Sequence, residues 1–426
     1  MPSWRWLVQT EYAKRDPTHI PSSQYHLEVV TTPFPPFDKA FKNDGIEQPG
    51  ELTNTTEHKP RCRRAIVATF GQLAFHGSAK QREGVRMGIR QYLKNGPLGF
   101  GAAPLGNMFR DIPDAEAEAT VDAAWAAGTR FFDTAPFYGA GLSELRLGKS
   151  LAKHKRSEYV LSSKVGRLIL DDLEQDAQTF GEKGSLFKHG RRNKVIYDYT
   201  EEGTVRSIED SLKRIGVDHL DFVWIHDVAR DFYGDDWVRV FEIAHRGAMV
   251  ALARLREQKV IKGWGLGVNR VEACELAIDM TETHPDAFLL AGRYTLLDHE
   301  LALQRLMPAC EAKKVDIVVG GPYSSGVLAG GNHFEYAPAP PAILAKVEKL
   351  KALCKKFEIP IKAAALHFSL AHPASAAVIP GASRPERIEE DHAAMNTVVP
   401  DGFWQALRKQ KLVSPLAPLP IDHKQG

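Results

Sequence analysis

Three short apolar stretches each run into a titratable residue of a different type. Phe131-Phe132 leads into Asp133, with Tyr138 just beyond; Val160-Leu161-Ser162-Ser163 leads into Lys164; Phe222-Val223-Trp224-Ile225 leads into His226. Singly, each has an ordinary structural explanation: an Asp forms turns, a Lys marks a solvated strand end, a His bonds its neighbours. Together, at the same end of adjacent strands, they bring a carboxylate, a phenol, an ammonium and an imidazole to one place. That set suits interconversion of a carbonyl and an alcohol. Hydride transfer to a carbonyl leaves negative charge on oxygen, which must be protonated; the reverse reaction needs a base for the hydroxyl proton. A free tyrosine, with a pKa of about 10, is a poor base at neutral pH, and a neighbouring ammonium lowers that value. Lys164 is therefore expected to lower the pKa of Tyr138, Asp133 to hold Lys164 by an ion pair, and His226 to donate to the substrate oxygen and orient it.

The elements that must position these groups follow from the pattern around them. From Gly96 onward, short apolar runs alternate with amphipathic stretches, the signature of repeated βα units and a parallel sheet. A strand is expected over 97–106. Asp114 caps a helix with Ala117, Val121, Ala124 and Trp125 on one face, and Gly128 ends it. Further strands are expected at 159–164, 220–226, 260–268, 287–295, 315–321 and 376–381, with helices at 142–152, 247–259, 271–283, 299–313 and 341–357. A helix with Val205, Ile208, Leu212 and Ile215 on one face precedes the 220–226 strand. With the strand at Phe131-Phe132 the count is eight, over a length that fits an α/β fold of the (β/α)8 type, a TIM barrel. Reactive groups of such a barrel sit at the carboxyl ends of its strands, where Asp133, Lys164 and His226 fall. A doubly wound sheet would carry Gly-x-Gly-x-x-Gly after its first strand; Gly99-Phe100-Gly101-Ala102-Ala103-Pro104 lacks the third glycine. A Tyr-x-x-x-Lys pair, the mark of short-chain dehydrogenases, occurs nowhere.

Residues 1–90 differ from the rest. They mix Pro, Thr, His and charges, as in Thr31-Thr32-Pro33-Phe34-Pro35-Pro36, without sustained periodicity. They read as an irregular or disordered extension before a barrel domain at 91–426, or as residues upstream of a start at Met87. The composition is ordinary for a globular protein, 43% hydrophobic and 25% charged, with a net charge of +2. That balance argues against nucleic acid or a membrane surface as partner. The four cysteines, Cys62, Cys274, Cys310 and Cys354, form no CxxC pair, so no metal is expected, and a reduced, cytoplasmic setting is.

The stretch from Gly99 to about Asp391 resembles the aldo-keto reductase superfamily. The resemblance rests on Asp133-Thr134-Ala135-Pro136-Phe137-Tyr138-Gly139, Ser162-Ser163-Lys164, Ile225-His226, Gly267-Val268-Asn269 and Ile379-Pro380-Gly381-Ala382-Ser383-Arg384 with Glu386-Arg387. It implies Asp133, Tyr138, Lys164 and His226 as the catalytic tetrad, and NAD(P) lying across the carboxyl rim of an eight-fold barrel. The stretches 98–106, 197–200, 206–211 and 289–297 look like the branch of D-threo-aldose 1-dehydrogenases and pyridoxal 4-dehydrogenases. That branch oxidises a cyclic hemiacetal to a lactone. The function so implied is oxidation of an aldose such as L-fucose, D-arabinose or L-galactose at C1. Pyridoxal oxidation is the enzymatic alternative, and a non-catalytic nicotinamide-sensing subunit the alternative of another class. A monomer or homodimer is expected.

By the same resemblance, Asn269 would bind the nicotinamide carboxamide. Gly320, Tyr323, Ser324, Gly326 and Leu328 would pass under the nicotinamide and pyrophosphate, where glycines allow close backbone approach. Gly381, Ser383, Arg384, Arg387 and Asp391 would surround the adenosine end. The chain departs from the superfamily pattern at Val268, where serine is usual, at Ala291, where glutamine is usual, and at Gly320, where the aromatic that stacks on nicotinamide is usual. Gly381 stands where a lysine often meets the NADP 2′-phosphate. NAD is therefore expected, with NADP kept open by Arg384 and Arg387, whose forks suit phosphate. Two long segments, 167–199 and 227–246, leave the same rim, and Phe137, Phe232, Tyr233 and Trp237 offer apolar faces for a sugar or pyridine ring; of these, Phe137 and Trp237 are expected to bind substrate.

Overall fold

The computed structural model describes residues 88–173, 186–280 and 283–422. The expected N-terminal extension lies outside the described residues except for 88–90. The strands, in chain order, are β1 (Phe100–Gly101), β2 (Phe131–Asp133), β3 (Val160–Val165), β4 (Arg167–Leu173), β5 (Asn193–Tyr197), β6 (Phe222–His226), β7 (Gly263–Val268), β8 (Ala287–Ala291), β9 (Asp316–Gly320), β10 (His333–Phe334), β11 (Ala337–Pro338) and β12 (Ser375–Ile379). Eight of them form one parallel sheet in the order β1-β2-β3-β6-β7-β8-β9-β12. Its edges meet through bridges from Leu98 to Val378 and from Gly101 to Gly381, and the amide of Gly99 donates to the carbonyl of Val378 at 2.9 Å. The sheet is thus an almost closed (β/α)8 barrel.

The period of two along each strand decides what faces the barrel axis. Phe131, Val160, Phe222, Trp224, Leu289, Val318 and Ile379 share an inner cluster, whereas Phe132, Leu161, Val223, Ile225 and Val319 belong to the layer between sheet and helices. Carrying the inward parity forward from Phe131, Val160 and Phe222 gives Asp133, Lys164 and His226, so the three reactive strand ends converge by geometry alone. β7 makes room for them with glycines on its inner face. A Cβ at Gly263 would lie 2.5 Å from Phe222 Cε1, and one at Gly267 would lie 3.1 Å from Trp224 Cβ and 3.5 Å from Lys164 Cε.

The helices form for the reasons their sequences give. The helix Glu201–Ile215 starts at Thr200, whose hydroxyl accepts from the amide of Gly203 at 3.0 Å. Glu201 and Glu202 sit in its first turn, favoured by the helix dipole. Ile208, Leu212 and Ile215 are buried on one face, and Gly216 ends the helix at φ 78°, a left-handed value that glycine adopts freely. The far end of the barrel is closed by a short 3-10 turn, Ile89–Tyr92. Ile89 is fully buried there, the ring of Tyr92 meets Phe222 edge-on at 5.7 Å, and Arg90 Nη2 donates to the carbonyls of Pro373 and Ser375.

Several elements differ from expectation. Only Phe100–Gly101 of the 97–106 segment pairs as strand, because Ala103–Gly106 turns as a 3-10 helix with Pro104 in its first turn. The 167–199 segment carries an antiparallel ribbon, β4 against β5. The 227–246 segment is largely helical, with Arg230–Tyr233 and Trp237–Ala244. The expected 299–313 helix is broken into Glu300–Gln304 and Leu306–Lys313 by Arg305, whose φ is −144°. Helices Ile361–Leu370, Pro385–Asn396 and Asp401–Lys409 complete the outer layer. Among the described residues no helix is long and apolar enough to cross a membrane.

Candidate active site

The carboxyl rim brings the four sequence-predicted reactive residues together. Lys164 Nζ donates to Asp133 Oδ2 at 2.6 Å and to the Thr134 carbonyl at 2.9 Å. The second carboxylate oxygen of Asp133 accepts from Ser162 Oγ at 2.7 Å and from Trp224 Nε1 at 3.1 Å. Both members of the ion pair are about 2% exposed. A buried pair with its remaining lone pairs satisfied holds one geometry, which a pair open to water does not. Burial pushes the Lys164 amine down and the Asp133 charge opposes that shift.

Tyr138 lies against this pair, with Lys164 Nζ 4.7 Å from its ring centroid. His226 meets the tyrosine edge-on at 5.7 Å, and Phe187 stacks on it at 5.7 Å with an interplanar angle of 29°. The backbone of the 138–139 turn is clamped: a Cβ at Gly106 would lie 2.5 Å from the carbonyl carbon of Tyr138. The expected lowering of the phenol by Lys164 does not hold. Desolvation, reinforced by the Asp133 and Asp227 carboxylates and opposed by Arg167, raises the Tyr138 pKa well above its ordinary value. The physical reason is that burial and the two carboxylates together outweigh the Arg167 charge, so the phenol keeps its proton at rest. The resting phenol is neutral.

Two cavities meet at Tyr138. The larger, about 420 Å³, runs from Asp133, Tyr138 and Asn269 past Gly320, Tyr323, Ser324 and Gly326 to Gly381, Ser383, Arg384 and Arg387. The smaller, about 70 Å³, is bounded by Phe137, Tyr138, Lys164, Phe187, His226, Asp227, Phe232, Asn269 and Tyr336. Three of the predicted residues lie elsewhere. Leu328 is fully buried in the apolar layer. Asp391 is buried and accepts from Tyr323 Oη at 2.7 Å and Lys362 Nζ at 2.8 Å, so it braces Tyr323 from behind rather than lining the cleft. Trp237 opens a helix that buries Val240, Phe241 and Ala244, and its ring packs edge-on against Phe241 at 6.3 Å; it faces its own helix and not the cavity.

Other wall residues were not marked by the sequence. Phe187 comes from the polar 167–199 insertion, where a lone aromatic has no periodicity to betray it. Tyr336 sits on the β10–β11 hairpin at φ 65°. Its hydroxyl donates to Asn269 Oδ1 at 3.2 Å and its amide to Ser325 Oγ at 3.0 Å. Arg110 lines the cleft beside Arg384 and Arg387 and donates to the Ser383 carbonyl at 2.8 Å. Gly330, Gly331, Pro338 and Pro340 flank Tyr336, a composition that favours a turn but does not tell where the turn packs.

The larger cleft suits a dinucleotide. A Cβ at Gly320 would lie 3.2 Å from Leu289 Cδ2 and 3.3 Å from Ala291 Cβ, so glycine keeps the floor flat. Gly321, Ser324, Ser325 and Gly326 all have positive φ, between 50° and 98°, a conformation whose curved backbone cradles anions. Two guanidinium groups, Arg384 and Arg387, of a kind that suits phosphate oxygens, stand at the far end beside Arg110, whose own fork is bidentate on Glu116.

The sequence profile of the Aldo/keto reductase family matches residues 97–411. The chain is 35% identical over 326 residues to a pyridoxal 4-dehydrogenase of Microbacterium luteolum, covering 74% of this chain and 94% of that protein. It is 33% identical over 321 residues to a D-threo-aldose 1-dehydrogenase of a Pseudomonas species, covering 74% and 94%. An aldo/keto reductase of Klebsiella pneumoniae, solved in complex with NADP and acetate, superposes with a TM-score of 0.53 at 18% identity, covering 75% of this chain and 92% of that one.

Proposed function

The chain belongs to the aldo/keto reductase family and is an NAD(P)-dependent oxidoreductase, and from that premise we propose that it oxidises a cyclic hemiacetal, an aldose first of all, at its anomeric carbon to give a lactone. The observation that carries this reading is the position of Tyr138, at the junction of the two cavities and beside the buried Lys164–Asp133 pair.

Bound NAD(P) supplies the hydride acceptor for oxidation and the hydride donor for reduction. The proposed contacts are Asn269 for the nicotinamide amide, the 320–326 segment for the pyrophosphate, and Ser383, Arg384 and Arg387 for the adenosine end. Gly381 offers no ammonium for a 2′-phosphate, which favours NAD. In the reduction direction Tyr138 gives its proton to the carbonyl oxygen as charge develops there. In oxidation the phenolate form takes the hydroxyl proton. Lys164, held by Asp133, stabilises the charge that appears on the tyrosine oxygen, and His226 orients the reacting oxygen. A positioned proton donor of this kind contributes about 10²–10⁴-fold. The aromatic walls, Phe137, Phe187 and Phe232, suit the apolar face of a saturated ring.

The test is a panel of L-fucose, D-arabinose, L-galactose and pyridoxal with NAD and NADP, followed by reduced-cofactor absorbance. Turnover of a sugar, with kcat lowered about 10²–10⁴-fold by Tyr138→Phe and cofactor affinity retained, supports the reading. Lactone formed from pyridoxal alone would move the substrate to the pyridine class, a second reading that the same aromatic walls and the Microbacterium relative favour. Tight cofactor binding with no turnover on any carbonyl or hemiacetal would replace catalysis by sensing.

A further inference from the structure

The residue after His226 breaks the strand's alternation. In extended backbone the side chain of Asp227 would point away from the barrel axis. Instead Asp227 has φ 52°, a left-handed value uncommon outside glycine and a frequent mark of functional positions. The turn is fixed at both ends: its amide donates to the Gly267 carbonyl at 2.9 Å, and its own carbonyl accepts from Ala229 at 2.8 Å. The consequence is a carboxylate in the wall of the smaller cavity. Asp227 Oδ2 lies 3.3 Å from His226 Nε2, and Oδ1 lies 3.5 Å from Asn269 Nδ2.

Behind it stands Arg167. Its Nη2 donates to Asp227 Oδ2 at 2.9 Å, and the two side chains are 1% and 6% exposed. Its guanidinium carbon lies 4.2 Å from the centroid of Phe137 and 4.9 Å from that of Phe232, two walls of the same cavity. Among the described residues, two of its donors, Nε and Nη1, have no hydrogen-bond partner. A desolvated ion pair is weak support for a fold, and buried donors left over are uncommon in native proteins. Both features make sense if the pair serves a ligand rather than the scaffold.

We propose that Asp227 selects hydroxylated substrates by accepting a hydrogen bond from the hydroxyl on the carbon next to the reacting one, and that Arg167 is the positioning residue that holds this carboxylate charged and in place. The inference deepens the hemiacetal reading and takes its substrate class from it. With His226 on the reacting oxygen, the acceptor 3.3 Å from its Nε2 lies within hydrogen-bonding reach of the neighbouring oxygen of a vicinal pair. A hydrogen bond to a charged acceptor discriminates against the analogue lacking the hydroxyl by roughly 10- to 100-fold.

The experiment measures kcat/KM for matched pairs, lactaldehyde against propanal and L-fucose against its 2-deoxy analogue, in the wild type and in Asp227→Asn, Arg167→Met and Arg167→Lys. The wild type should prefer the hydroxylated member roughly 10- to 100-fold. In Asp227→Asn that ratio should fall toward one, whatever happens to the absolute rates. Arg167→Met should reduce the ratio through KM of the hydroxylated member, and Arg167→Lys should restore part of it. A wild type that does not discriminate overturns the proposal without any variant needing to fold. A ratio unchanged in Asp227→Asn, in a variant that melts cooperatively and binds NADH, overturns it too. If no hemiacetal is oxidised but lactaldehyde is still preferred to propanal through Asp227, the hemiacetal reading fails and the assignment of Asp227 stands.

Discussion

The two sides of the barrel rim are built on opposite principles. On the side of β2, β3 and β6, the functional groups are side chains fixed by other side chains: Asp133 receives Lys164, Ser162 and Trp224 together. On the side of β9 and β12, the cleft is shaped by backbone and by missing side chains, as at Gly320, Gly321, Gly326 and Gly381. The first side suits chemistry, which needs charges held to a fraction of an ångström. The second suits a long flexible ligand, which needs room and many weak contacts.

Breaking the first side should cost most. Lys164→Met leaves the Asp133 carboxylate buried without its cation, a change worth about 3–5 kcal/mol of stability. The same variant should lose about 10²–10⁴-fold in kcat, checked by denaturant melts beside single-turnover rates. Loss of rate without loss of stability would show that the pair does not pin the fold at this rim. On the second side, Gly320→Val should act on binding alone. Its added carbons meet Leu289 and Ala291, so cofactor affinity should fall about tenfold, or about 1.4 kcal/mol, while kcat at saturating cofactor stays near wild type. A fall in kcat instead would mean that the cleft floor also sets the reacting geometry.

The smallest effect sharpens the contrast by pH. Because the Tyr138 pKa is raised above its ordinary value of 10.0, its proton is held throughout the neutral range. Carbonyl reduction, which spends that proton, should be flat with pH up to about 10 and decline beyond it. Oxidation, which uses the phenolate, should rise with pH over the neutral and alkaline range. The linkage to stability has the same sign: a proton bound more tightly in the folded state contributes stability below the unfolded value of about 10, lost as pH rises through the folded one. An alkaline limb in reduction that begins near neutrality would assign the proton to another group.

The barrel, and the convergence of Asp133, Tyr138, Lys164 and His226 at one rim, were legible because both depend on local sequence. Strand parity places Asp133, Lys164 and His226, and apolar runs ending in those residues display the parity directly. The cleft was legible in part, since glycines and arginines at strand ends mark anion sites whatever surrounds them. Trp237 was misplaced because an aromatic in an irregular-looking segment carries no sign of which way its helix will turn. Asp391 was misplaced for a related reason: a polar residue near a site can serve another side chain instead of the ligand. Phe187 and Tyr336 reach the cavities from a long insertion and a hairpin, so their positions depend on how whole segments dock. The direction of the Tyr138 shift depended on a sum of nearby charges that only three dimensions supply.

The inner face of β7 has a wider consequence. Gly263 and Gly267 present no side chain toward the axis, and a Cβ at Gly267 would press on Trp224 Cβ at 3.1 Å while meeting the Lys164 methylenes only at ordinary contact, 3.5 and 3.6 Å. Trp224, whose Nε1 donates to Asp133 Oδ1, is therefore seated by atoms that the neighbouring strand lacks. A single methyl at Gly267 would press on Trp224 before it reached the amine, so it would disturb the Lys164–Asp133 pair through the indole that bonds the carboxylate.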